Sequence, residues 1–598
     1  MKILIVYVVC LFCFYSSAQI YNQKTWATYY FGAASNAIDL AVDNEGNILV
    51  LGNTRKWQDA AYYSNFTTFG AHKSGFNPAI ISSESDCILS KFSPSGTLIW
   101  ATQFGGDKDD NVYTNQLVLD TNNNIYFVGM TSSITGIATA GSFDESPPLG
   151  NGAKIFLTKF DTNGVQQWGT YINGIGLFAG ICIDTNNNIF VNGYTSIATG
   201  ISTIGAYQYN YENYIITESQ NSGVSNGFVL KFDSNGNRLA GTYLGKTSPN
   251  FILSSMCLDN NGNVIVTQQT TYYSNNQFAT PGCFQNMNST AATFNIPETT
   301  ITKLNSSLSQ VIWSTYFSNA NIFSITCNNN TIFIAGVAQQ ANNFTTPGSF
   351  QPNILNNTTY GNGFLACFNA DGARQWATYY PQRIDRVAAF NNKLYVNGAT
   401  YDANNNLGTV ASYQNTFYGG TSDGFFSEFN LDGTRNWSSY FGGEKTEIIN
   451  SICINNNNMY VVGTTKSYTN ISTTGSFQSS LNHGALSQND MDSVNMFLAK
   501  FNKDNLNTND YSKLQSQLSP NPNNGQFTIT GNINNLQKNM SLLIYDGLGR
   551  QITSKEIQVT GNQINQIFNF ANQLSQGIYF AKISDGISVL QTFKVLVK

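Results

Sequence analysis

The sequence predicts an all-β protein, a seven-bladed β-propeller closed by its N-terminal strand and followed by a small C-terminal β-sandwich. Three observations predict it. One hairpin motif recurs seven times along the 598-residue chain, a second recurs six times and stops half-finished on its seventh appearance, and the missing half stands alone as TWATYYFG at residues 25 to 32. Composition agrees: 11% of residues are charged, against about 25% in an average soluble domain, and 13% are aromatic. Strand and turn formers dominate, and the length exceeds the roughly 250 to 300 residues at which a single core stops growing.

Residues 1–18, MKILIVYVVCLFCFYSSA, carry Lys2, an apolar run from Ile3 to Tyr15 and small residues at Ser16 and Ala18. That pattern predicts a signal peptide cleaved after Ala18. Its apolar run is too short to favour a membrane span, and no later run reaches the roughly 18 residues a span needs, so an exported mature chain without a membrane span is expected.

The first motif begins at residues 40, 117, 181, 256, 325, 387 and 452, in forms such as LAVDNEGNILVLGNT and ICIDTNNNIFVNGYT. Two apolar strands flank Asp, Asn and Gly, which accept the left-handed backbone that a tight hairpin needs. The second motif begins at residues 87, 155, 227, 301, 363 and 424, as in CILSKFSPSGTLIW: a strand ending in an aromatic or Leu, a turn, then usually a Trp strand. The seventh copy, MFLAKFNKDN at 496 to 505, has no Trp strand. Arranged in a circle, the two orphans complete each other, with Thr25–Phe31 beside Met496–Phe501. Such closure leaves few open sheet edges. Three stretches depart from the pattern: RLAGTYLG lacks Trp, and CNNNT and AFNNK have shortened turns.

Trp26, Trp100, Trp168, Trp313, Trp376 and Trp437 mark a period of 61 to 74 residues, with Leu239–Ala240 filling the gap. Shorter propeller repeats manage with about 40 to 45. The excess lies between the second and third strands of each unit, where connections share a motif: TIGAYQ (203 to 208), TPGCFQ (280 to 285), TPGSFQ (346 to 351), VASYQ (410 to 414), TTGSFQ (473 to 478), and weaker forms at 68 to 72 and 139 to 143. A recurring aromatic argues for a structural wedge between neighbouring blades. Meander geometry sends these connections, and those between units, to one face of the disc, where their variable parts form the expected binding surface. Trp57, Tyr62 and Tyr63 are the candidates there for stacking on a ligand.

Candidate chemistry is sparse. Two connections between units are acidic, FGGDKDD (104 to 110) and FGGEKTE (441 to 447), and Asp109 and Glu447 are the candidate ligand-face carboxylates, with solvated loop charge the favoured reading. The two histidines, His72 and His483, have no matched partners for metal or triad chemistry, so no catalytic residue is assigned. The turns Asp43–Asn47, Asp120–Asn124, Asp184–Asn188 and Asp259–Asn263 are rich in oxygen, yet lack the loop length of a calcium site; no cofactor is expected, with calcium the one ion worth testing. Of nine cysteines, Cys10 and Cys13 leave with the signal, and the remaining odd number argues against a disulfide framework. Cys182, Cys257 and Cys453 share one repeat position and read as buried small hydrophobes. Net charge is −5 without a basic run, so no nucleic-acid partner is expected.

Residues 25 to 502, with TWATYYFG, IDLAVDNEGNILVLGNT and DCILSKFSPSGTLIW, resemble the secreted bacterial beta-propeller repeat (SBBP) family. After a polar linker at 503–517, the motifs LSPNPNNGQFTIT (518 to 530), LLIYDGLGRQI (542 to 552), LSQGIYFAKI (574 to 583) and FKVLVK (593 to 598) resemble the type A sorting domain of the type IX secretion system of Bacteroidetes. The expected domains are thus a signal at 1–18, a propeller at 19–502, the linker, and a sorting β-sandwich at 518–598. The resemblance implies passage across the outer membrane through the type IX machinery, leaving the propeller at the cell surface or released. The function expected is non-enzymatic binding or adhesion to a glycan or protein; the alternative is an extracellular polysaccharide hydrolase or lyase using acidic loop residues.

Overall fold

A computed structural model describes residues 21–32, 35–55, 67–68, 70, 72–73, 84–113, 116–150, 152–174, 179–212, 225–247, 255–270, 278–286, 298–338, 345–355, 361–401, 407–410, 412–481, 494–503, 514–533, 540–546, 550–560, 563–584 and 589–598. The signal peptide lies outside them. The chain divides into two compact units, Met1–Lys503 and Asp504–Lys598. Among the described residues both are all-β, without helix.

The first unit opens with β1 (Gln23–Tyr30). Sheet one follows in chain order: β2 (Ser35–Val42), β3 (Ile48–Arg55), β4 (Ser85–Phe92) and β5 (Leu98–Phe104). Sheet two has a divided first strand, β6 (Asp110–Asn111) and β7 (Leu117–Leu119), beside β8 (Ile125–Thr131), β9 (Lys154–Phe160) and β10 (Gln166–Ile172). Sheet three is β11 (Ile181–Ile183), β12 (Ile189–Thr195), β13 (Ser225–Phe232) and β14 (Arg238–Thr247). Sheet four is β15 (Met256–Leu258), β16 (Val264–Thr270), β17 (Glu298–Leu304) and β18 (Val311–Phe317). Sheet five is β19 (Ala320–Asn328), β20 (Thr331–Ala338), β21 (Asn362–Phe368) and β22 (Arg374–Tyr380). Sheet six is β23 (Arg386–Phe390), β24 (Lys393–Thr400), β25 (Asp423–Asn430) and β26 (Arg435–Phe441). Sheet seven takes β27 (Glu447–Asn455), β28 (Asn458–Thr465) and β29 (Asn495–Asn502) from one end of the unit and β1 from the other, pairing Trp26 with Lys500 and Tyr30 with Met496. First strands of successive sheets lie side by side through the series from β2 and β7 to β23 and β27, and β27 lies beside β2.

The hairpin chemistry explains itself locally. Asp43 Oδ1 accepts the N–H groups of Glu45 (3.0 Å) and Asn47 (2.8 Å), and Asp120, Asp184 and Asp259 repeat the arrangement. The shortened turns are Asn pairs with left-handed backbone, Asn329–Asn330 at φ 48 and 64 and Asn391–Asn392 at φ 47 and 57. That is the two-residue hairpin turn Asn tolerates best after Gly, so these departures keep register with their partner strands. Middle strands such as β12 and β21 are buried along their whole length, because each sheet is covered on both faces by its neighbours.

Trp and aromatic side chains bind sheet to sheet. Trp100 Nε1 donates to Thr162 O in the next sheet's turn (3.0 Å), as Trp168 does to Ser234 O (3.2 Å), Trp313 to Ala370 O (2.9 Å) and Trp376 to Leu431 O (2.8 Å). Trp26 on β1 does the same to Pro94 O of sheet one (3.1 Å). The connection aromatics meet the ring that ends the third strand of the following sheet: Phe143 with Phe232, Phe284 with Phe368, Phe350 with Phe429, Tyr413 with Phe501 and Phe477 with Phe92, at 5.1 to 6.1 Å between centroids. The expected wedge is present. Arg238, Arg374 and Arg435 lie over Phe143, Phe284 and Phe350 at 4.6 to 4.9 Å, adding a cation to each stack.

The recurrent part of each long connection runs along the outermost strand of its own sheet. Thr203, Thr280, Thr346 and Thr409 donate their N–H groups to carbonyls of Gly241, Ser314, Ala377 and Ser438. Gln208, Gln285, Gln351 and Gln414 then donate theirs to Thr242, Thr315, Thr378 and Ser439 hydroxyls (2.8 to 3.0 Å). An exposed sheet edge templates aggregation, and this lining covers it. In sheet seven the same lining, Thr473 and Gln478, covers β1 at Ala27 and Thr28.

The second unit comprises β30 (Leu514–Ser519), β31 (Gln526–Ile533), β32 (Met540–Tyr545), β33 (Gln551–Ile557), β34 (Val559–Thr560), β35 (Gln563–Asn569), β36 (Gly577–Ser584) and β37 (Val589–Val597). They form two four-stranded sheets, β30-β31-β35-β34 and β33-β32-β36-β37, over one core that includes Phe527, Ile529, Leu542, Ile544, Phe568 and Ile583. The stretch read as linker is shorter than expected. β30 begins at Leu514, since an edge strand needs few apolar contacts, and Leu518 supplies one.

Candidate functional site

The two acidic connections fold as twins. After Phe104 and after Phe441 comes Gly-Gly and then an acidic side chain that receives backbone N–H groups: Asp107 Oδ1 accepts Ile134 and Thr135 (2.8 and 3.0 Å), and Glu444 accepts Tyr468 and Thr469 (2.6 and 3.2 Å). Four residues after the second glycine a carboxylate turns back onto that glycine's N–H, Asp110 onto Gly106 (2.7 Å) and Glu447 onto Gly443 (2.8 Å). Ser133 Oγ donates to Asp110 Oδ2 (2.7 Å), and Thr465 Oγ1 donates to Glu447 Oε1 (2.6 Å).

A second carboxyl faces each of these. A Cβ added at Gly105 would lie 2.3 Å from Asp86 Oδ1 and 2.8 Å from Asp110 Oδ2; at Gly442 it would lie 2.4 Å from Asp423 Oδ1 and 2.8 Å from Glu447 Oε2. Glycine is required because two carboxyl groups close on the space a side chain would occupy. Asp423 and Glu447 are both fully buried. Burial raises both pKa values, Asp423 to about 7 with the neighbouring Glu447 charge adding to the shift. Gln414 Nε2 and the Tyr418 N–H both donate to Asp423 Oδ2 (3.0 and 2.8 Å), and Gly442 N–H donates to Gln414 Oε1 (3.0 Å), so the recurrent Gln helps hold the pair.

At the centre of the first strands, Asp39 is fully buried and ion-paired with Arg386. Ser451 Oγ donates to Asp39 Oδ1 (2.9 Å), and Gln116 and Leu117 N–H groups donate to Oδ2 (3.0 and 3.2 Å). This polar hub joins sheets six, seven, one and two, and it was not legible in the sequence because its partners lie up to 412 positions apart.

Of the residues singled out from sequence, Trp57, Tyr62, Tyr63 and His483 lie outside the described residues. Asp109 is exposed, and its Oδ1 accepts the N–H (2.8 Å) and Oγ–H (3.2 Å) of Ser85. Glu447 is not a solvated loop charge: it is buried and bonded within its own connection, because the chain turns its carboxylate inward to satisfy Gly443. Asp109 and Glu447 share no partner, and the equivalent of Glu447 is Asp110. Aligning FGGDKDD on FGGEKTE residue by residue carries that signal. His72 takes the aromatic's place in its connection, edge-on to Phe160 at 5.5 Å, and burial lowers its pKa to about 4. Among the described residues no group of three or more His, Cys, Asp or Glu side chains is placed to hold a metal. The carboxylate oxygens of the Asp turns are engaged by turn N–H groups, and at Asp43 and Asp259 also by Lys91 and Lys303 at 2.9 Å.

Comparison with known proteins bears on both units. No curated protein matches the chain. Solved structures similar to it include BamB from Moraxella catarrhalis (9% identity, covering 80% of this chain and 99% of that one, TM-score 0.33). They also include the Neurospora crassa Pan2 WD40 domain (9%, 81% and 96%, TM-score 0.37) and phage phi92 endosialidase (12%, 83% and 71%, TM-score 0.35). At these scores the likenesses carry no argument about blade number or activity. Family models match at two places, a beta-propeller repeat at residues 99–134 and a secretion system C-terminal sorting domain at residues 517–598. The chain therefore carries a beta-propeller repeat ahead of the sorting domain that marks proteins exported by the type IX secretion system to the cell surface or the medium.

Proposed function

We propose that the seven sheets make one closed, seven-bladed propeller, delivered outside the cell, that binds or adheres to a glycan or protein through its long connections. Closure is supported by the return of β27 to β2, the pairing of β1 with β29, and the contact of Phe477 with Phe92. Binding is supported by one observation above the others: Leu149, Ile204 and Val410, on three different connections, are 90%, 95% and 92% exposed. Taken singly such side chains are ordinary on a protein surface; what supports the reading is their place on the connections expected to meet a partner. Trp57, Tyr62 and Tyr63 belong to the same class of connection. The C-terminal unit is the part recognised by the type IX machinery.

The test applies the exported protein to a glycan array and to extracellular proteins, with and without calcium. Leu149→Ser, Ile204→Ser and Val410→Ser together should abolish capture with an unchanged melting midpoint; capture that survives the triple change contradicts the reading. A second reading, a polysaccharide hydrolase or lyase, draws on the Asp423–Glu447 pair, since two carboxyl groups with raised pKa values are the raw material of acid–base catalysis. Both groups are buried, which favours bracing over turnover. Turnover of a polysaccharide panel that is lost in Glu447→Gln and kept in Asp109→Asn would establish this second reading instead.

A further inference from the structure

Polar side chains on or beside the first two strands of a sheet tie it to the first strand of the next. Gln116 Nε2 donates to Ala179 O (2.9 Å), Val387 N–H to Ser324 Oγ (3.1 Å), Asn397 Nδ2 to Ile449 O (2.9 Å) and Asn450 Nδ2 to Ala37 O (2.7 Å). Between β15 and β19 the facing groups are thiols. Cys257 Sγ and Cys327 Sγ lie 2.7 Å apart, inside the separation at which unbonded sulfurs rest and above the about 2.05 Å of a bond. The Asn260 N–H donates to Asn330 Oδ1 (2.9 Å) at the adjoining turns, fixing the register that brings the sulfurs together. Both residues are only partly buried, although the Cys257 thiol itself is desolvated, and the protein is exported, out of the reducing cytosol.

We propose that Cys257 and Cys327 form a disulfide during export, a covalent staple between sheets four and five. The step is thiol–disulfide exchange with a disulfide-bearing oxidant of the cell envelope. One cysteine thiolate attacks the oxidant's disulfide, expelling one of its sulfurs as thiolate; the second cysteine thiolate then attacks the mixed disulfide and expels the other. The pair loses two protons and two electrons, and the oxidant leaves as a dithiol. Burial raises the Cys257 thiol pKa well above its ordinary value, so Cys257 is a slow attacking thiol once its strand has docked. β15 is only three residues long, Met256–Leu258, so its own ladder gives it few hydrogen bonds, and a covalent tie adds most at such a place. A single bond is compatible with an odd cysteine count, which speaks only against a framework.

Cys182 on β11 neighbours the same sulfurs and is the internal control. The experiment takes wild-type protein from the medium or cell surface, blocks free thiols with iodoacetamide before any reduction, digests it and maps peptides by mass spectrometry. The expected result is a linked peptide joining Cys257 to Cys327 in most molecules, kept in Cys182→Ser and absent from Cys257→Ser, where Cys327 becomes alkylated. Reductant should lower the wild-type melting midpoint by a few degrees and leave that of the Cys257→Ser/Cys327→Ser protein unmoved. Recovery of both cysteines as separate alkylated peptides from wild-type protein, or a link from Cys182 to either, overturns the proposal.

Discussion

Three kinds of seam join the sheets of the first unit. At five of them a Trp lies over a glycine of the next sheet's turn: Trp26 over Gly96, Trp100 over Gly164, Trp168 over Gly236, Trp313 over Gly372 and Trp376 over Gly433. A Cβ at any of these glycines would come within 2.7 to 3.1 Å of the indole, and all five have φ between 79 and 86. Between sheets three and four, Ala240 stands where Trp would be, and Leu308 stands at the glycine position, at φ 60 and fully buried. The left-handed backbone costs a leucine about 1–2 kcal/mol, and burying its side chain returns about 1.5–3 kcal/mol. Ala240 and Leu308 belong to one apolar cluster. The seam specifies a filled volume, and either sheet may fill it.

The third kind lies between sheets six and seven. Trp437 faces the point where sheet seven changes from β29 to β1, so no turn lies there to accept its indole N–H. Trp437 Nε1 is buried without a hydrogen-bond partner among the described residues, and Tyr21 covers the ring at 6.1 Å. Among the described residues, the split sheet keeps the packing of the continuous ones and loses one hydrogen bond.

Removing residues 19–32 should have the largest effect. It strips β1, the Trp26–Gly96 seam and the partner of the Thr473–Gln478 lining, and should leave an insoluble product or one without a cooperative melting transition; an unchanged melt would contradict the seam account. Ala240→Trp alone puts two large side chains into one volume and should cost about 3 kcal/mol, the upper end for overpacking, in denaturant unfolding. Adding Leu308→Gly should recover most of that loss, and additive losses in the double mutant would show that the two positions do not share a volume. Gly433→Ala and Gly96→Ala should each cost about 2 kcal/mol, from a left-handed alanine and the displaced indole. Equal costs would mean that the split sheet is as rigid as the others. Trp376→Phe should destabilise by about 1 kcal/mol more than Trp437→Phe, the worth of the hydrogen bond to Leu431 O that only Trp376 makes.

The folded pKa of Asp423, about 7, stands above the ordinary carboxyl value of about 3.9, so the unfolded chain gives up its proton first. Asp423 then makes stability fall as pH rises from about 4 to about 7, and Asp423→Asn should flatten that part of the curve. An identical slope in the variant would mean that the proton sits elsewhere in the Asp423–Glu447 pair.

Much of the fold was legible because it depends on local rules. Period-two apolar runs, Asp and Asn at the hairpin turns and the two orphan strands were enough to pair β1 with β29, and the aromatic of each connection announced a wedge. The candidate site was less legible. Asp109 and Glu447 stood out as charges in loops, but whether a loop carboxylate faces solvent or its own glycine N–H is decided by the two glycines before it and by a third-strand residue far away in sequence. Asp86 and Asp423 gave no signal in isolation, since a polar residue opening a strand is ordinary.

The repeat, its phase and the order of strands within each sheet follow from local chemistry, because hydrogen-bonded hairpins and side-chain alternation are properties of a few neighbouring residues. That the long connections line the sheet edges, that Leu308 answers for a missing Trp, that Asp39 meets Arg386 and that Cys257 meets Cys327 emerges when the sheets assemble. Each of these depends on which surfaces of separate sheets come to share one volume, and the free energy of filling or charging that volume belongs to no single segment of the chain.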